Sequence, residues 1–272
     1  MKSVQSLRYR ALQLLTTADL ELKISGTSAL ALDALIDCDA SIEPTGCIPG
    51  RPAKPPLVPH TQIKSRSIKS REGQATLLHS LAHIELNAVD LALDLVFRFA
   101  GMPAAFYVEW VQIAKEEAYH FTLLRDHLHR LGYDYGDFPA HDSLWQMAER
   151  TKDDILARIA LVPRTLEARG LDASPPVKAK LVSVGDAEGA AILDIILRDE
   201  IGHVYVGNRW YAYLCEQRGL DPVATYAELA VKYRAPRPRG PFNLAARRAA
   251  GFSEAELVQL ERQATDDATS NL

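Results

Sequence analysis

Apolar residues recur at spacings of three and four along most of the chain, and no run alternates convincingly with period two. The pattern therefore predicts helices and no strands. Long periodic segments fall at 72–100, 103–131, 143–169 and 186–218, with shorter ones at 3–20 and 27–38. Turn-forming residues separate the long segments: Gly101-Met102-Pro103, the stretch from Gly132 to Pro139, and Asp172 to Pro176. Residues 172–185 read as a longer connection. Asp221-Pro222 has the form of a cap followed by a first-turn proline, and Ser253-x-x-Glu256 fits a capping box at the start of a last helix. Long helices joined by short turns predict an antiparallel bundle.

Six of the fifteen prolines lie between Pro44 and Pro59. At that density the backbone loses donors and its φ angles are fixed, so an extended strap is expected there. The predicted fold is all-α. Residues 1–71 form N-terminal helices and the strap, 72–220 a four-helix bundle, and 221–272 a C-terminal helical extension.

Composition adds boundaries. The 272 residues are 47% apolar and 24% charged, the balance of an ordinary globular chain. A net charge of −4 exerts no global pull toward nucleic acid or membrane. Cys38, Cys47 and Cys215 are too few and too scattered for a disulfide framework or a CxxC zinc site. Arg8 and Arg10 interrupt the N-terminal apolar residues, so no signal peptide is read there. The most apolar stretch, Ala88 to Ala100, is far short of the ~20 residues that span a bilayer. A cytoplasmic setting without a membrane partner is expected.

The chemistry lies in carboxylates on the wrong face. Glu85 is surrounded at helical spacing by Leu78, Leu81, Ala82, Ala88, Val89 and Ala92. Glu117 sits among Trp110, Ile113, Ala114, Phe121 and Leu124, and Glu200 among Leu193, Ile196, Leu197 and Val204. A buried, unpaired carboxylate costs several kcal/mol or takes up a proton, so three on three helices need one explanation. Glu117-x-x-His120 and Glu200-x-x-His203 each place an imidazole on the same face. Glu167 on the third long segment completes the order Glu, Glu-x-x-His, Glu, Glu-x-x-His, the ligand pattern of a di-metal carboxylate bundle. Glu85 and Glu117 are 32 positions apart, and Glu167 and Glu200 are 33, as two similar helical hairpins require. Pro163 would kink or end the third helix, so Glu167 needs a local bulge to turn inward.

Four carboxylates and two neutral imidazoles balance two divalent cations. Oxygen-rich ligation with one imidazole per metal suits iron first, with manganese or a mixed pair as alternatives. Glu116 and Asp199 directly precede ligand glutamates and are placed to orient the histidine of the opposite hairpin. His79 and His83 lie on another face of their helix and read as structural histidines. Tyr107, Tyr119, Tyr205 and Tyr211 read as core filler with a polar tip, and Cys215 as a small buried residue. Two acid-free basic stretches, 51–71 and 231–250, are open to a polyanion, although pairing with carboxylates or simple solvation is the commoner fate of such charge.

On these residues the chain resembles the ferritin-like superfamily. It is similar above all to an uncharacterised bacterial ferritin-like family marked by PGRPAKPPLVPH (49–60), HSLAHIELNA (79–88), KEEAYHF (115–121), TLEARGLD (165–172), DEIGHV (199–204) and RGPFNLAARRAAGF (239–252). The LEAR stretch also looks similar to the iron-dependent hydroxylases that modify tRNA. The resemblance implies a di-iron or related centre and no settled reaction. Three functions are therefore expected to compete. The first is a dioxygen-activating oxidoreductase or hydroxylase with an unidentified substrate and an electron donor supplied from elsewhere. The second is a non-catalytic metal-binding or iron-handling bundle, and the third an RNA-modifying hydroxylase docked through the basic stretches. A homodimer is left open.

Overall fold

A computed structural model describes residues 6–44, 46–64 and 66–270, with side-chain surroundings described to residue 264. The first three residues of the helix predicted at 3–20 lie outside the described residues. The described chain is all-α, and its one β-type feature is an isolated parallel bridge between Leu57 and Ala140. It divides into two compact units, Met1–Trp145 with Ser183–Ile192, and Gln146–Val182 with Leu193–Leu272.

In the first unit, α1 (Leu7–Leu15) and α2 (Leu20–Ser28) pack on the long pair α3 (Arg71–Arg98) and α4 (Ala104–Arg130). The ends of the pair are set by local chemistry. Ser70 caps α3 by accepting from Gly73 N–H at 3.1 Å. α4 closes in a Schellman motif: Gly132, at φ 78°, donates to His129 and Tyr133 donates to Leu128. The whole run from Glu85 to Phe97 is buried. Its two aspartates are answered inside: Lys23 reaches Asp90 at 2.5 Å, and Arg98 reaches Asp94 at 2.6 Å.

The helix predicted at 27–38 is displaced. α2 covers Leu20–Ser28, capped by Asp19, and residues 31–40 contain no helix. Their carbonyls are used elsewhere. Leu7 N–H takes the Leu35 carbonyl, and the fully buried Arg8 guanidinium takes those of Asp37, Cys38 and Ala40. A carbonyl held this way is lost to an i→i+4 helical bond. The proline segment is an extended strap, as its composition requires. Val58 donates to Ala140 at 2.8 Å, Ala140 donates to Pro56 at 3.1 Å, and a 3₁₀ turn follows at His60–Gln62. His79 and His83 fasten the 133–141 loop beside it. Gly136 N–H donates to His79 Nε2 at 2.9 Å, the Tyr135 hydroxyl meets His83 Nδ1 at 2.8 Å, and His83 Nε2 donates to the His141 carbonyl at 3.0 Å.

The single helix predicted at 143–169 is three pieces: α5 (Ser143–Arg150), α6 (Ile155–Leu161) and a π-helical turn at Val162–Glu167. Asp154 caps α6 after a turn at 151–153. The π turn follows from Pro163, which has no amide to give the preceding turn. Thr165 Oγ1 donates to the Ala160 carbonyl at 2.7 Å, five residues back. The connection predicted at 172–185 is mostly helix, since α7 spans Ala168–Ser183 with Pro175 and Pro176 inside it. Pro175 leaves the Leu171 carbonyl without its helical donor, and the Asn243 side-chain amide supplies one at 3.2 Å.

α8 (Ala187–Arg218) begins in the first unit, where Asp186 caps it and accepts from His127 at 2.9 Å. It continues through the second unit. There α9 (Pro222–Lys232) starts at the expected Asp221 cap, α10 (Leu244–Ala249) follows the second proline stretch, and α11 (Glu254–Ser270) ends the described chain. The capping box is present: Ser253 N–H donates to Glu256 Oε2 at 2.8 Å and Glu256 N–H donates to Ser253 Oγ at 3.4 Å.

Candidate metal centre

Three of the sequence-predicted ligands meet in the first unit. α3 contributes Glu85, and α4 contributes Glu117 and His120 from one face, three residues apart. All three are buried, and His120 and Glu117 are wholly inaccessible. His120 Nδ1 lies 3.3 Å from Glu85 Oε2 and 3.3 Å from Glu117 Oε2. Three ligand atoms, one from each residue, fall within 4.8 Å of one another.

The donor set fits a metal ion. Donors held ~2.1 Å from one cation at angles of about 90–110° stand roughly 3.0–3.4 Å apart, which is the spacing His120 makes with each carboxylate. The electrostatics agree. Burial alone would favour the neutral imidazole, but hydrogen bonds to the Glu117 and Glu85 carboxylates outweigh it and lift His120 to about 11. In the absence of a cation, a proton on His120 partly offsets the carboxylate charge. A buried cluster of glutamate and histidine thus exists that could hold a metal ion.

The other predicted ligands stand in the second unit. Glu200 and His203 are buried on one face of α8, with His203 Nδ1 3.8 Å from Glu200 Oε1. Gly207 continues that face one turn beyond His203. A Cβ at Gly207 would stand 3.0 Å from Pro163 Cβ, so its absence lets α8 approach the π turn closely. Glu167 ends that turn and is half-buried. The bulge that Pro163 calls for is present, and the residue it inserts rotates Glu167 by about 100° relative to an unbroken helix. Glu116 accepts from Gln112 at 2.7 Å, and Asp199 pairs with Arg198 at 2.8 Å.

The remaining candidates have structural partners. The Tyr107 hydroxyl donates to the Phe99 and Cys38 carbonyls and accepts from Met102 N–H. Tyr211 donates to the Pro222 carbonyl at 2.8 Å, whereas Tyr119 and Tyr205 are half exposed. In the basic stretches, Arg51 pairs with Asp142 and Arg66 with Glu72, while Arg247 pairs with Asp172 and Arg248 with Glu254. Sequence reasoning missed the roles of Arg8 and Asn243 as backbone donors, because nothing local marks a side chain that serves carbonyls dozens of residues away. No helix among the described residues is long and apolar enough to cross a membrane.

Comparison with known proteins adds a family and no reaction. A protein of Haemophilus influenzae, described as an uncharacterized protein, is 48% identical over 223 residues, which cover 79% of this chain and 77% of the relative. No solved structure matches. Residues 16–258 match the family described as "Protein of unknown function (DUF455)", and the chain belongs to that family.

Proposed function

We propose that this chain is a ferritin-like di-metal carboxylate protein, with Glu85, Glu117, His120, Glu167, Glu200 and His203 as ligands and iron as the first choice of metal. The observation that carries the reading is the buried placement of His120 Nδ1 at 3.3 Å from two carboxylates on different helices. Glu85, Glu117, His120 and Glu200 are all buried and each offers a ligand atom. Glu167 joins the set by way of the π turn that Pro163 imposes and Gly207 accommodates. Glu116 and Asp199, each beside a ligand, serve to fix ring orientation and tautomer.

When bound, a pair of ferrous ions supplies the electrons and the open coordination positions needed to reduce dioxygen in an oxidation or hydroxylation. The protein's part is electrostatic. Four carboxylates neutralise two divalent charges, and carboxylate oxygens tolerate a rise in metal charge. An imidazole binds a metal in its neutral form, so metal uptake by His120 displaces the proton that the carboxylates otherwise hold there. An electron donor would come from a partner. The near-complete burial of Glu117 and His120 also supports a second reading, a metal that stabilises the fold without turnover.

Elemental analysis of the full chain, purified without chelator or reconstituted anaerobically with ferrous iron, tests the centre. About two iron or manganese atoms per chain are expected. Glu117→Ala should lower that to below about half an atom, and His79→Ala should leave it unchanged. Wild-type protein holding less than about half an atom per chain overturns the proposal. Dioxygen consumption by the ferrous protein in the presence of a reductant separates the two readings.

A further inference from the structure

The second unit contains a cavity that the metal reading does not use. It is a partly open cleft, with about 690 Å³ of empty space when the solvent at its mouth is counted. Its walls come from the π turn, the start of α7, α9, the proline stretch before α10, α10 and the turn after it, and α11.

Its charge is unusual for so apolar a space. Arg164, Arg169 and Arg247 line it, against a single lining carboxylate, Glu256. Glu256 is already committed: one oxygen pairs with Arg164, and the other accepts from Ser253 N–H and Oγ in the capping box. Arg247 is balanced from outside by Asp172, at 2.5 Å. Arg169 is exposed and has no hydrogen-bond or ion-pair partner among the described residues. Three arginines against Glu256 and Asp172 leave one positive charge.

Arg164 is the more telling residue. It is only 5% exposed, yet its one hydrogen-bond acceptor among the described residues is Glu256. Elsewhere this chain saturates a buried guanidinium: Arg8 donates to five backbone carbonyls. Arg164 is instead held by ring faces, lying 4.6 Å from the Tyr211 centroid, 4.9 Å from Tyr226 and 5.1 Å from Phe252. Stacking fixes the plane of the guanidinium without using its in-plane N–H groups. A buried cation with spare donors, lining the same cavity as a second cation that has no partner among the described residues, is suited to receive an oxyanion. Tyr226, Phe252 and Leu260 are among the apolar residues of the lining.

We propose that this cavity binds a small organic acid as its monoanion, the carboxylate meeting Arg164 and Arg169 and the apolar body lying against Tyr226, Phe252 and Leu260. The site does not depend on the metal centre, so each can fail without the other.

Calorimetric titration of the full chain with 1-naphthoate and with its neutral amide, 1-naphthamide, tests the proposal. Naphthoate should bind at one site per chain, and the amide at least about tenfold more weakly, since a charge-assisted bond in a desolvated site contributes ~1.5 kcal/mol or more. Arg169→Gln changes an exposed side chain and should weaken naphthoate several-fold while leaving the amide unchanged. Leu260→Trp, which fills the cavity, should abolish binding of both. Arg164→Gln risks the fold, and the first two variants stand without it. Equal affinity for acid and amide, no naphthoate binding at millimolar concentration, or full affinity in a folded Leu260→Trp protein would each overturn the assignment.

Discussion

The α3–α4 pair and the segment from α6 through α7 reach the helical state by different means. In α3 and α4 propensity, periodicity and caps agree, and the observed bounds fall within a residue or two of those the apolar pattern predicts. The α6–α7 segment carries Pro163, Pro175 and Pro176 and is helical or π-helical throughout. Side-chain donors from outside the regular ladder bond carbonyls of this segment. Thr165 Oγ1 serves the Ala160 carbonyl, and the Asn243 amide serves that of Leu171. The first region is held by burial. The second is held by side chains that replace backbone bonds, and this lets a helix change register at Glu167.

If burial dominates the first region, its largest sensitivity lies in plain apolar truncation. Leu93, wholly buried in α3, is the test. Leu93→Ala should destabilise the chain by about 3 kcal/mol, within the ~2–5 kcal/mol usual for such cavities. The effect should appear as a lower denaturant midpoint at unchanged slope. A loss under about 1 kcal/mol would mean that α3 collapses around the cavity and that its packing is looser than its burial implies.

The histidines on the same helix give a smaller, pH-dependent effect. Burial pushes His79 down from 6.5 to about 4, against weaker opposition from Asp137 and Asp134. The unfolded chain therefore binds the proton that the folded chain refuses between pH 6.5 and 4. Stability from this group is complete above about pH 6.5 and falls as pH drops toward 4. Linkage puts the loss between pH 7 and pH 5 at roughly 2 kcal/mol. Urea midpoints at the two pH values, in wild type and in His79→Gln, isolate it. The variant should be less stable at pH 7 and show a shallower pH dependence. An identical dependence would mean that His79 remains hydrated in the folded protein.

The same contrast explains what can be read from sequence. Glu85, Glu117, His120, Glu200 and His203 are visible because they interrupt apolar stripes on uninterrupted helices, where spacing alone fixes the face. α2 lies earlier than the pattern predicts because residues 27–38 have helical periodicity but the carbonyls of Leu35, Asp37 and Cys38 go to Leu7 and Arg8, a long-range competition that no window of sequence contains. The 172–185 connection departs from prediction for the opposite reason: its prolines are local stop signals, and the group that cancels one of them, Asn243, lies 68 positions beyond Pro175. Glu167 falls between the cases. Pro163 announces a disturbance, and only the backbone shows that it is a π turn and not an end.

The smallest effect is also the one that discriminates best between the two regions. If Asn243 substitutes for the amide that Pro175 lacks, its contribution should vanish when that amide is restored. Asn243 also caps α10 through Oδ1 on Ala246 N–H at 3.2 Å, so Asn243→Ser, which keeps a capping oxygen but is too short to reach Leu171, is the appropriate change. It should cost about 1 kcal/mol in wild type, the usual net value of one such bond. In a Pro175→Ala background, the restored backbone N–H takes the Leu171 carbonyl and the same change should cost no more than a few tenths of a kcal/mol. A coupling of about 0.5–1 kcal/mol in this double-mutant cycle identifies the replaced bond. Strict additivity would mean that the Leu171 carbonyl draws nothing from Asn243, and that α7 survives its prolines through the packing of Leu171 and Ala168 against Val204, Ala246 and Ala250. Both regions would then be held by burial alone.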